Sequence, residues 1–241
     1  MIGDFTDQDS LTAAMEGIEG AYLMTPPLAE AENLLEERIA IEEHMIAAMK
    51  ANDVKHAVLL SAFAAHLEEG TGQIVGLHRM ENRFKEADLS FTSLRAAFFM
   101  ENWMPSVAGA KASGNFVSFV HPTSLKIEQV STKDIGAAIV RALSEGQDGQ
   151  RYISVAGPER YSADDGAEAL AAHMSQEISP VELAREKWHG VWGGLGWSED
   201  RCRLYEEFFM SINSGLAVFS DEDEIWRGKD SLEDVIKRLA G

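Results

Sequence analysis

The 241 residues carry 40 acidic against 21 basic side chains, a net charge of −19 at pH 7. That excludes a binder of phosphate backbones or anionic membranes, which needs clustered Lys and Arg, while 45% hydrophobic content with five Trp and eleven Phe excludes a disordered acidic tail. The single cysteine, Cys202, excludes an intrachain disulfide and a multi-cysteine metal site, so a reducing, cytoplasmic setting is the default, and no apolar run reaches the roughly 18–20 residues of a membrane span.

In chain order, residues 1–4 read as the tail of a strand. Thr6 is expected to cap a helix with Leu11, Met15 and Ile18 on its apolar face and Gly17 and Gly20 at its close. Residues 21–24 are a short apolar run stopped by Thr25-Pro26-Pro27, hence a buried strand and a rigid turn. A long helix over about 29–51 precedes a strand at 54–61. A loop through Glu68-Glu69-Gly70 leads to a helix at about 77–87 and a strand at 90–95. Shorter strands at 116–120 and 126–130, a helix at 132–143 and a strand at 152–155 follow, and from Ser162 the pattern is mostly helical. Strands alternating with helices predict an α/β fold, a mostly parallel sheet with flanking helices. Residues 1–157 would hold the sheet, and 158–241 a small, mainly helical lobe over its ligand-binding edge.

Open parallel sheets bind ligands beyond the carboxyl ends of their strands. Three segments qualify: Thr25-Pro26-Pro27, Ser61-Ala62-Phe63, and residues 95–102. The prolines would fix the backbone against a flat ring, and Ser61 offers a hydroxyl at a strand tip. The same residues could simply end a strand and cap a turn, and spacing leaves both readings open. Gly70-x-Gly72-x-x-x-Gly76 has the look of a dinucleotide fingerprint. It follows Glu68-Glu69 in a loop, however, where two carboxylates would repel a pyrophosphate. That segment and the Gly190, Gly193, Gly194, Gly196 cluster among Trp188, Trp192 and Trp197 are expected to be flexible loops. None of the four tyrosines has a lysine four residues on. His78, expected at the head of a helix with Glu81 one turn further, is the acid–base candidate, the alternative being a surface histidine paired with Glu81. His121-Pro122 reads as a turn, and no metal-ligand motif is present.

Taken together, Gly3-Asp4-Phe5 with Leu11, Tyr22-Leu23-Met24-Thr25-Pro26-Pro27, residues 54–61, Phe91-Thr92-Ser93-Leu94-Arg95 running into Phe98-Phe99-Met100-Glu101-Asn102, and Gly157-Pro158-Glu159 resemble the NmrA-like family. These are atypical short-chain dehydrogenase/reductases, among them NAD(P)H-dependent quinone and triphenylmethane-dye reductases and redox-sensing regulators. The ordered series continues to Trp226-Arg227-Gly228-Lys229 and the last helix. The resemblance implies a Rossmann-like fold and NADPH or NADH as cofactor. It places Thr25, Pro26 and Pro27 along the ribose and nicotinamide, Ser61, Ala62 and Phe63 beside them, and Arg95 to Phe98 as the loop over the nicotinamide. Phe99, Asn102 and Trp103 would shape a pocket for a quinone or other flat aromatic acceptor, and His78 falls near where the family places a His or Lys. Without a Tyr–Lys pair the quinone-reducing or sensing branches fit best, since solvent can protonate a reduced quinone. The family's Gly-rich βαβ unit precedes the segment matching Met1. The resemblance therefore implies an N-terminally truncated sheet, an exposed edge at 21–24, and weak dinucleotide binding by the chain as written. A non-catalytic NAD(P) sensor acting through a protein partner, or an inactive truncated relic, are the alternatives; a homodimer is compatible with any of them.

Overall fold

The computed structural model describes residues 2–28, 31–146 and 148–241. Residues 2–4 form no strand, and Met1 lies outside the described residues. Asp4 instead closes a turn, its carboxylate accepting from the Thr6 N–H (2.9 Å) and hydroxyl (2.8 Å). With Thr6 so engaged, Asp7 takes the cap of α1 (Gln8–Ala14), accepting from the N–H groups of Asp9 and Ser10. The next strand is β1 (Gly20–Leu23). The long helix, α2 (Leu34–Ala51), begins later than expected because Asn33 caps it, accepting from the Glu36 N–H; Ala29, the expected start, lies outside the described residues.

The alternation then runs β2 (His56–Ala62), α3 (Ile74–Glu86), β3 (Phe91–Ala96), β4 (Phe98–Phe99), α4 (Met104–Ser113), β5 (Asn115–Ser118) and β6 (Ile127–Val130). It continues with α5 (Thr132–Glu145), β7 (Gln150–Ala156), β8 (Arg160–Tyr161), α6 (Ala163–Met174) and β9 (Ser179–Glu182). The chain ends with α7 (Trp188–Gly194), α8 (Glu199–Asn213), β10 (Glu224–Arg227) and α9 (Leu232–Ala240). The main sheet has the order β1-β2-β3-β7-β10, parallel throughout, and β1 is its edge, with no strand on its outer side among the described residues. Period-2 alternation divides its faces. Ala57, Leu59 and Phe91 face Leu11, Met45, Met49, Met80 and Phe84 from α1, α2 and α3. Val58, Leu94, Ile153 and Val155 face Ile135, Ala138 and Ala142 of α5.

Beyond residue 157 the chain is mostly helical, but it also returns β10 to the main sheet, Trp226 pairing with Val155. The two glycine clusters are not both loops. Gly190, Gly193 and Gly194 lie within α7, which the burial of Trp188 and Trp192 pins to the core, and Gly76 lies inside α3. Apolar burial outweighs the roughly 1 kcal/mol that each helical glycine costs relative to alanine.

Candidate active site

On the face toward α3, the sheet carries a polar stripe in otherwise apolar strands. Ser61 is paired in register with Arg95, and Arg95 with Ser154; Ser93 is paired with Tyr152. Such a stripe beneath a helix needs a charged partner, and Glu81 of α3 supplies it. Its Oε1 accepts from the hydroxyls of Ser61 (2.7 Å) and Ser93 (2.6 Å) and from Arg95 Nε (3.1 Å), and its Oε2 from Arg95 Nη2 (2.6 Å). Arg95 Nη1 donates to Asp223, just before β10, at 2.9 Å, and Asp223 also accepts from the Ser154 hydroxyl at 2.7 Å. The side chains of Glu81, Asp223 and Arg95 are 3%, 2% and 8% exposed. Burial disfavours the guanidinium charge, but the hydrogen bonds and charge of Glu81 and the charge of Asp223 outweigh it and hold the Arg95 pKa above its ordinary value.

A cleft of about 520 Å³ opens over this network, lined among others by His66, His78, Asn82, Arg95, Tyr152 and Asp223. Arg95 stacks 4.4 Å over the Tyr152 ring, whose hydroxyl pKa is raised by burial and then by the charge of Glu81. His66 keeps a buried Nδ1 with no hydrogen-bond partner among the described residues. Burial and then the Arg95 charge hold its pKa below the usual histidine value.

His78 sits in the second turn of α3, not at its head. Its Nδ1 lies 2.9 Å from the Ala65 carbonyl and its Nε2 2.8 Å from the Asn82 amide. The Nδ1–H tautomer satisfies both contacts, so neither nitrogen is free, and Glu81 turns away from it to the sheet.

The strand-end segments come together in part. Thr25 and Pro26 follow β1, the strand paired with β2, and Ala62 closes β2 just before Phe63; Thr25 is buried and Pro27 exposed. Phe63 N–H donates to the Ala96 carbonyl (2.9 Å), tying the tips of β2 and β3. Above them lies an aromatic layer. Phe63 meets Phe208 of α8 at 6.1 Å, Phe98 meets Phe209 at 6.3 Å and Trp103 at 5.7 Å, and Phe119 stacks on Trp192 and on Phe209 at 5.1 Å from each. Phe99, Asn102 and Trp103 are not brought together. Phe99 packs on the α5 side of the sheet, Asn102 is exposed, and Trp103 is core, donating Nε1–H to Gln129 at 2.8 Å. Glu81 figures in the sequence only as a neighbour of His78 and Ser93 only as part of the Phe91-Thr92-Ser93-Leu94-Arg95 motif, and Asp223, Ser154 and His66 have no role there. The period-2 placement of Ser61, Ser93, Arg95 and Ser154 in buried strands is the signal that could have found them.

Of the residues that the resemblance assigns to a dinucleotide, Thr25, Pro26 and Pro27 follow β1, and Ala62 closes β2 just before Phe63. Gly70 and Gly72 lie in the loop from β2 to α3. At Gly72, where φ is +59°, a Cβ would overlap the Leu204 carbonyl, so that glycine admits α8 and not a phosphate. Among the described residues, no group of three or more His, Cys, Asp and Glu could hold a metal, and no helix is long and apolar enough to cross a membrane. Cys202 is buried, which raises its thiol pKa.

Residues 1–179 match the model of the NmrA-like family. The chain is 24% identical over 208 residues to the NAD(P)H azoreductase of Xenophilus azovorans, covering 86% of this chain and 69% of that protein. Its fold is similar to that of the NADPH-dependent quinone oxidoreductase of Escherichia coli complexed with NADPH, with a TM-score of 0.79 and 19% identity over 99% of this chain and 82% of the other. It is similar also to the Citrobacter sp. triphenylmethane reductase complexed with NADP(H), with a TM-score of 0.78 and 17% identity over 98% and 82%. With a family match spanning most of its length and a parallel sheet laid out as in those folds, the chain belongs to the NmrA-like family.

Proposed function

We propose that this chain is an NAD(P)H-dependent oxidoreductase that reduces a quinone or another flat aromatic acceptor. The observation that carries the reading is the aromatic layer of Phe63, Phe98, Phe208 and Phe209 directly over the strand ends, where an open parallel sheet takes its ligand. Relatives whose names specify azo-dye, quinone and triphenylmethane-dye reduction support it. In this reading residues 1–157 hold the cofactor and 158–241 cover the acceptor. Thr25, Pro26 and Pro27 orient the nicotinamide ribose, with Ser61, Ala62 and Phe63 as the floor. Bound NADPH or NADH would supply a hydride. The aromatic side chains exclude water from the acceptor ring, and solvent supplies the proton, so His78 with both nitrogens engaged is not needed as an acid. Arg95 positions the strand tip through Glu81 and Asp223 and does not touch the substrate.

The test is turnover by the purified chain with 1,4-naphthoquinone and either nicotinamide cofactor, followed by quinone absorbance over a wide cofactor range. Quinone-dependent oxidation is expected. Cofactor binding without turnover of quinones or azo dyes would leave a sensor in its place, and neither binding nor turnover would overturn the reading altogether.

A further inference from the structure

Across the sheet from β1, β10 is the other edge, and its sequence is ordered by charge. Asp221, Glu222, Asp223 and Glu224 lie at its start, Ile225 and Trp226 in its middle, and Arg227 and Lys229 at its end. Trp226 is buried on the α5 side, whereas Ile225 is 50% exposed. A proline or a central charge ordinarily blunts a sheet edge, and β10 carries an isoleucine there instead.

The backbone of this edge is set for pairing. The Gly228 N–H donates to the Ala156 carbonyl at 2.7 Å, and Trp226 is in register with Val155. In a parallel ladder the N–H and C=O of one residue turn to the same side and those of the next to the other, so Glu224, Trp226 and Gly228 face β7. Ile225 and Arg227 therefore turn their N–H and C=O outward, where no hydrogen bond meets them among the described residues. Some of the charges are committed within the chain: Glu224 to Arg151 at 2.7 Å, Asp223 to Arg95 at 2.9 Å and Arg227 to Glu128 at 3.0 Å. Asp221, Glu222 and Lys229 are exposed and make no ion pair among the described residues.

A parallel neighbour of the same sequence would set acids against acids, whereas an antiparallel copy reverses the order and brings opposite signs together. In an antiparallel pair, outward-facing residues lie opposite outward-facing residues, so a two-fold axis fits at Ile225. It sets Ile225 against the partner's Ile225 and turns Lys229 toward the partner's Asp221. An axis at Trp226 or Arg227 would instead place an arginine opposite Ile225 or opposite another arginine.

We infer that β10 is the contact strand of a homodimer, two copies pairing it antiparallel about Ile225 so that their sheets become continuous. Glu222 and Glu224 also line the cleft over the Glu81 network, so the seam brings the partner's Lys229 to the acidic rim of that cleft. Four residues per strand make a short seam, which sets the pair among small, transient interfaces. The dimer does not depend on the oxidoreductase reading, and its test needs no turnover.

A net charge of −19 on each copy opposes association at low salt, so the measurement belongs near 0.15 M, where charges beyond about 8 Å are screened. Sedimentation equilibrium of the full chain from about 1 to 200 μM should show the mass rising from 26.5 kDa toward twice that value. Ile225→Lys should keep the circular dichroism and Tm of the wild type, because the side chain is exposed, and should sediment as a monomer. Lys229→Glu, which lies beyond the strand and leaves it intact, should weaken association about tenfold, and adding Asp221→Lys should restore it to within about threefold. In Ile225→Cys, mild oxidation should give a disulfide dimer, because opposite residues of a hydrogen-bonded antiparallel pair have Cα atoms about 5.5 Å apart. Cys202 is buried, and Val140→Cys on the exposed face of α5 controls for chance collision. A wild-type chain that stays monomeric throughout, a dimer that survives Ile225→Lys, a charge swap that fails to restore association, or cross-linking of Ile225→Cys no faster than of Val140→Cys overturns the inference.

Discussion

Glu81→Leu removes the acceptor at the centre of the buried polar stripe. Glu81 receives four hydrogen bonds, from Ser61, Ser93 and twice from Arg95, with a side chain 3% exposed. Breaking a buried ion pair from one side costs about 3–5 kcal/mol, because the remaining charge stays in a low-dielectric site. Arg95 keeps Asp223 at 2.9 Å, which lowers that figure, while two serine hydroxyls lose their acceptor at about 1 kcal/mol each. A leucine of similar bulk recovers about 1–2 kcal/mol by burial. The net is about 4 kcal/mol, or a Tm drop of about 8–16 °C for a chain of this size.

Urea denaturation and a thermal melt at pH 7 measure the loss. Glu81→Gln, which keeps a carbonyl acceptor, should cost about half as much. In the double variant Glu81→Leu/Arg95→Met the stranded cation is gone, so the combined cost should fall short of the sum of the singles by about 2 kcal/mol. A Glu81→Leu protein within about 1 kcal/mol of wild type, or a strictly additive double variant, would refute the network as a stability element.

Three further outcomes follow from the same geometry. Gly72→Ala places a Cβ against the backbone of Leu204 and Phe208 at a φ of +59°, so it should cost about 3 kcal/mol or more and loosen α8, read as a shift in tryptophan fluorescence with lowered Tm. His66 is held below the usual histidine pKa in the fold, by burial first and the Arg95 charge second, so the unfolded chain takes up its proton first. Stability is then complete above the unfolded pKa of about 6.5 and falls as pH drops through and below it; Tm against pH for His66→Asn should be flatter in that window, and an identical slope would count against it. Because Gly72 sits against the Leu204 carbonyl, the β2–α3 loop has no room there for a pyrophosphate, so NADPH should bind the 241-residue chain with a Kd of about 100 μM or weaker, and a low-micromolar value by calorimetry would contradict this.

Much of the sheet was legible because burial on both faces writes itself as apolar runs. Residues 54–61, 90–95 and 152–155 foretold β2, β3 and β7 to within two residues at either end. What escaped depends on partners distant in sequence. In Glu224-Ile225-Trp226-Arg227 only Trp226 is buried, and pairing with β7 makes the strand. The glycines of α7 read as a loop until Trp188 and Trp192 are seen in the core. His78 and Glu81, three apart on one helix, read locally as a pair, yet three polar side chains on β2 and β3 outbid the histidine for that carboxylate. Neighbouring Phe98 and Phe99 alternate as strand residues must, which sends them to opposite faces and breaks up the expected acceptor pocket.

The end of β2 joins the two halves of the candidate site. Ser61 is held to α3 through Glu81, and two residues later Phe63 is held to α8 through Phe208 while its backbone ties to β3 at Ala96. Between them Ala62 closes β2 with only a methyl group. In the proposed reading, a flat ligand laid on that methyl would be bounded on one side by a rigid ionic network and on the other by an aromatic layer carried on α8. The ionic side fixes the floor, because moving Ser61 would strand a buried carboxylate. The aromatic side can give, because ring-on-ring contacts at 5–6 Å tolerate sliding that a bidentate ion pair does not. Acceptor shape should therefore be read by Phe208 and Phe209, while the nicotinamide position is set from the strand side. Substitutions at Phe208 should change the order of preference among acceptors without changing cofactor affinity, and substitutions at Glu81 should change cofactor affinity for every acceptor alike.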